Sequence, residues 1–146
     1  MLLIDEMKSI TSKLPYSKPF LFVDEIIKID ENGVEGSFTF DSSLDFYNGH
    51  FKGNPVTPGV ILIETMAQIG VVCLGIYLLK DTFNKNTKIA FTSSEINFLK
   101  PVYPQEKVIV ISSKVYFRFG KLKCNVQMID SSRAEVCNGT ISGMIV

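Results

Sequence analysis

From Gly59 to Leu79 the chain runs almost continuously apolar for 21 residues. A segment of that length and character either crosses a bilayer or is enclosed by protein on every side. Glu64 and Gln68 lie inside it, four residues apart and so on one helical face. A carboxyl within a membrane span is costly. No Trp/Tyr belt marks the Pro58 end, and no second span follows. The run therefore reads as a helix buried all round inside a soluble protein, and the rest of the chain must wrap it.

The rest of the chain suits that task. Its 146 residues are 46% hydrophobic and 21% charged, which fits one domain over residues 1–146. A domain of this size buries roughly 70% of its unfolded surface, enough for a core without staples. Fifteen basic residues balance fifteen acidic ones, and the pI is near 6.6. Zero net charge with this hydrophobicity excludes disorder and argues against nucleic-acid binding, which needs a basic excess. Cys73, Cys124 and Cys137 form no CxxC pair, and there is one histidine, so no metal site of the Cys/His kind is expected. Three unmatched thiols suit a reducing compartment. Residues Met1 to Ile10 lack the apolar core of a signal peptide, so the expected location is cytoplasmic. The Asn138-Gly139-Thr140 sequon is then a chance match.

Ile4, Met7, Ile10 and Leu14 recur at helical spacing and predict a short amphipathic helix near residues 4–13, ended by Pro15. Phe20 to Ile29 reads as a strand, Asp30 to Gly33 as a hairpin turn carrying Asn-Gly, and Val34 to Phe40 as the returning strand. Thr57 is expected as the N-cap of the long helix, with Pro58 at its first helical position and its end near Lys80. Strands are predicted at 89–98, 107–118, 121–130 and 133–145. The last three form an antiparallel meander, and Pro101 and Pro104 break the chain before it. The fold class is α+β: one curved antiparallel sheet around one long central helix.

Chemistry concentrates between Gly49 and Gln68. His50 stands in a glycine-flanked loop just before the helix start. The first helical turn there has N–H groups without helical acceptors, and Gly59 lets a ligand approach them. Such a helix start suits a carbonyl oxygen gaining negative charge. Glu64, on a segment otherwise fit for a core, would tend to stay protonated and could serve as an acid. Taken singly, a loop histidine is more often a surface residue, and a carboxyl in an apolar helix more often simply pairs. Spacing alone leaves both readings open.

The same segment reads GHFxGxPxxPGVxxxExxAQ, and it resembles the signature of the β-hydroxyacyl-acyl carrier protein dehydratases of bacterial type II fatty acid synthesis. The likeness extends to Leu14-Pro15, Pro19-Phe20-Leu21 and Val23-Asp24, and to Glu95, Phe98, Lys100-Pro101-Val102 and Pro104. It implies the hot-dog fold and dehydration of a (3R)-hydroxyacyl thioester to its trans-2-enoyl product. The substrate would arrive on the phosphopantetheine arm of acyl carrier protein, and no cofactor is implied. His50 and Glu64 would be catalytic, the Gly59 amide would bind the thioester carbonyl, and Gln68 joins Gly59 as substrate-binding. The resemblance also implies homodimers joined edge to edge, with His50 of one subunit facing Glu64 of the other, and three dimers forming a hexamer. Phe51, Phe91 and Phe98 are candidates for the acyl tunnel wall, and Lys52 for contact with the carrier.

The chain departs from the family pattern at several positions. Tyr16 stands where His is usual, Lys52 where Pro is, and Gln105 where a turn Gly is. Thr57 replaces a bulky apolar residue and Ile89 an aromatic one, which bears on acyl-chain preference. Three other functions deserve weighing. A dehydratase that also isomerises usually carries Asp at the acid position, unlike Glu64. Hot-dog thioesterases commonly lack the GHFxGxP loop. A catalytically silent binding subunit need not keep both His50 and Glu64.

Overall fold

In the computed structural model, which describes residues 3–146, the first element is helix α1 (Ile4–Ser12). Asp5 and Glu6 in its first turn complement the helix dipole. Its inward face is narrower than the periodicity suggests: Ile10 is buried, while Ile4 stays 66% exposed.

The strand expected from Phe20 begins only at Glu25. The backbone of residues 20–22 is claimed by a side chain instead of a neighbouring strand. Phe22 N donates to Gln68 Oε1 at 2.8 Å, and Gln68 Nε2 donates to Phe20 O at 3.0 Å. Strand β1 (Glu25–Asp30) then pairs with β2 (Gly33–Thr39) in a hairpin whose two-residue loop is Glu31–Asn32, one residue earlier than Asn-Gly suggested. Asp30 Oδ1 accepts from the N–H groups of Asn32 and Gly33 at 2.7 and 3.2 Å, an Asx-type turn with no positive φ. Glycine is required at 33 for a different reason: a Cβ there would lie 2.1 Å from Ser112 O on the next strand.

Four more strands follow the helix: β3 (Ile89–Phe98), β4 (Lys107–Arg118), β5 (Lys121–Asp130) and β6 (Glu135–Ile145). The last begins two residues later than expected, because the Asp130 carboxylate gathers the N–H groups of Ser132 and Ala134 into a turn and Arg133 adopts a φ of 68°. All pairings are antiparallel, in the order β1-β2-β4-β5-β6-β3, with the expected β4–β5–β6 meander at the centre. Gln105 takes a left-handed φ of 73° where glycine would be easier, and its side chain accepts from Ser42 N at 2.7 Å.

The sheet curves around the apolar run. That run comprises α2 (Gly59–Ala67), a π-helical stretch (Gln68–Cys73) and α3 (Leu74–Leu79), followed by a 3-10 turn at Lys80–Thr82. It is long and apolar enough to span a bilayer, yet 72% of its most apolar window is buried inside the protein. Met66, Ile69 and Leu74 are fully enclosed. Truncating any of them to Ala costs about 2–5 kcal/mol by the usual worth of such core positions. The π-helical stretch rests on the sheet where Ser112 Oγ donates to Gly70 O at 2.8 Å. A Cβ on Gly70 would sit 3.0 Å from Ser112 Cβ, so the small residue sets the approach. Thr57 does not cap α2: the cap position is Pro58, without a side-chain bond. The Thr57 hydroxyl is buried and pairs with Tyr47 OH at 2.5 Å instead.

Candidate active site

His50 is fixed at both its backbone and its ring. Its N–H donates to Phe46 O at 3.0 Å, and its carbonyl accepts from Val56 N at 2.9 Å. In return, ring Nδ1 lies 2.8 Å from Val56 O. A carbonyl only accepts, so the neutral ring carries its proton on Nδ1 and leaves the Nε2 lone pair free. The ring stacks on Phe51 with centroids 4.1 Å apart, across a cis peptide. Thr57 N, donating to Val102 O at 2.8 Å, pins the far end of the loop.

His50 and Gly59 line the same open cleft of about 410 Å³, together with Phe51, Leu62 and Phe98. Gly59 opens α2, so its N–H has no helical acceptor. The Phe98 ring lies against it: a Cβ would fall 3.0 Å from Phe98 Cζ. Any larger residue would have to displace that ring.

Glu64 lies farther along α2 and faces a different cavity of about 220 Å³, lined among others by Tyr16, Phe20, Val71, Ile89 and Phe91. Burial pushes its carboxyl above the ordinary range, and the hydrogen bond from Gln68 partly opposes this. That bond runs from Gln68 Nε2 to Glu64 Oε2 at 3.0 Å. Gln68 itself is completely buried, and its remaining bonds go to Phe20 and Phe22.

The expected site residues thus fall into two pairs. His50 and Gly59 share one cleft, Glu64 and Gln68 meet at the other, and the two cavities have no lining residue in common. Of the expected tunnel residues, Phe51 and Phe98 belong to the first cleft and Phe91 to the second. Tyr16 lines the Glu64 cavity, a place that nothing in its local sequence signals, since its approach to Glu64 spans the fold. Among the described residues, no three His, Cys, Asp or Glu side chains gather as a metal site.

A family model described as a FabA-like domain matches residues 14–136, a span that includes all four of these residues. The chain belongs to the FabA-like family. A FabA-like relative in Caldicellulosiruptor saccharolyticus, named 3-hydroxyacyl-[acyl-carrier-protein] dehydratase FabZ, is 35% identical over 141 residues, covering 93% of this chain and 95% of the relative. Among solved structures, the dehydratase heterocomplex ApeI:P from Xenorhabdus doucetiae is similar with a TM-score of 0.75 at 12% identity, covering 92% of this chain and 89% of that one. A hypothetical thioesterase from Streptococcus pneumoniae reaches a TM-score of 0.62 at 16% identity, covering 84% of each chain. At those identities the two structures speak for the hot-dog fold alone.

Proposed function

We propose that this FabA-like chain dehydrates (3R)-3-hydroxyacyl thioesters carried by acyl carrier protein, giving the trans-2-enoyl thioester and water in acyl-chain biosynthesis. The observation that carries the reading is the pairing of opposite chemistries. One half of the site holds a histidine with a free Nε2, and the other holds a carboxyl biased toward its protonated form. The name of the Caldicellulosiruptor relative supports the same reaction.

His50 Nε2 removes the C2 proton. The thioester carbonyl, gaining enolate character, lies at the Gly59 N–H at the positive end of α2. Glu64 delivers its proton to the 3-hydroxyl as the C3–O bond breaks, and water leaves. Gln68 acts through Glu64, holding one carboxyl oxygen so that the other is available.

A site divided between two cavities calls for a second copy. Strand β3 is a sheet edge ten residues long, with Phe91 and Phe98 nearly half exposed along it. Such an edge invites pairing. We assign the homodimer to this edge, with His50 of one subunit meeting Glu64 of the other, and a trimer of dimers as the larger assembly. Three buried free thiols suit a cytoplasmic location. Incubation with a 3-hydroxyacyl thioester should develop enoyl absorbance. Release of free thiol without it would indicate a thioesterase, and no reaction at all a silent subunit.

A further inference from the structure

Tyr16 reaches the Glu64 cavity from the connection between α1 and β1. Its ring is half-buried, packs on the core, and makes a tilted contact with Phe20 at 6.4 Å between centroids. Phe20 in turn is tied through its carbonyl to Gln68, the residue that also holds Glu64. One amide therefore fixes the carboxyl and the segment that presents the phenol. Glu64 Oε2 is occupied by Gln68, which leaves Oε1 for substrate. Burial and the nearby Glu64 charge push the phenol up to about 12, so it stays a neutral donor at any working pH. No hydrogen bond to a described residue uses that donor.

We propose that Tyr16 is a third catalytic group of the acid half, its O–H donating to the 3-hydroxyl oxygen of the substrate as that oxygen departs. The inference rests on the dehydratase reading above. When the C3–O bond breaks, the electron pair moves onto oxygen, which takes the proton of Glu64 and leaves as water. The C2 proton goes to His50, and the C2–C3 double bond forms from the electrons it leaves. Tyr16 keeps its proton throughout and stabilises the charge developing on oxygen. A neutral donor suits this position, because a second carboxylate would repel Glu64 in its ionised form.

Tyr16→Phe removes the hydroxyl and keeps the ring that packs against Phe20. The expected result is a fall in kcat of about 10–100-fold, the worth of one hydrogen bond to a charged group, with KM nearly unchanged. Hydration of the trans-2-enoyl thioester, the reverse reaction, should fall by the same factor. In Tyr16→Phe/Glu64→Gln the second loss should be much smaller than the first, because both groups serve one oxygen. An unchanged kcat, a rise in KM alone, or fully additive losses would reduce Tyr16 to a wall of the acyl cavity. If the parent protein forms no enoyl product, it is the dehydratase reading that fails.

Discussion

Gln68 Nε2 donates to Glu64 Oε2 at 3.0 Å while the same side chain's carbonyl accepts from Phe22 N at 2.8 Å. The Glu64 carboxyl is thereby tied to the segment whose backbone bonds Gln68 takes, which delays the start of β1. Gln68→Leu leaves the buried Phe22 N–H unpaired and should cost about 1–3 kcal/mol in urea unfolding. The lost bond had lowered the Glu64 pKa, so its removal raises that pKa further. Glu64 then stays protonated to higher pH, and the alkaline limb of kcat should move upward.

Glu64 itself weakens the fold at neutral pH. Its folded pKa lies above the ordinary 4.5 because burial disfavours the charge. A group shifted this way contributes stability that is fully present below the unfolded pKa and lost as pH rises through the folded one. Glu64→Gln cannot ionise and escapes the loss. Its thermal stability relative to the parent should therefore improve over the pH range that begins near the ordinary 4.5 and ends above the raised folded pKa, even as its activity disappears. A constant difference across that range would show that the carboxyl is not desolvated.

Gly33 is held by proximity, not by an unusual φ. Gly33→Ala would place a methyl group 2.1 Å from Ser112 O and force β2 and β4 apart. A loss of about 1–3 kcal/mol is expected from chemical denaturation. The Asx contacts of Asp30 are unaffected, so Asp30→Ala should add its own smaller cost.

The long helix, the four late strands and the hairpin were legible because their signals are local: an unbroken apolar run, alternation, and breaks at Gly120 and Pro101. Thr57 misled because its hydroxyl found a partner in Tyr47 rather than in the first helical turn. The stretch from Phe20 misled because a side chain on the central helix took its backbone bonds. His50, Gly59 and Glu64 stood out through one motif. Their division between two cavities did not, since sequence spacing carries no information on which side of the wrapped helix a loop folds. Tyr16 comes to line one cavity with Glu64 only through the tertiary fold.

Lys52 is exposed and follows Phe51, which lines the first cleft beside His50. A cation there suits an acidic carrier protein. Lys52→Glu should raise KM for the carrier-linked substrate more than for a short thioester mimic, and the difference should shrink as salt rises. An equal effect on both substrates would assign Lys52 to the loop instead.

Mixing inactive chains tests the shared site most directly. His50→Ala and Glu64→Gln should each lose about two or more orders of magnitude in kcat by the usual worth of acid–base catalysis. Co-refolded in equal amounts, they should recover about one quarter of the parental rate of enoyl formation, because half of randomly paired twofold dimers carry one intact site of two. A mixture that stays inactive while mass measurement shows the mixed dimer to be present would contradict a site built from His50 of one subunit and Glu64 of the other.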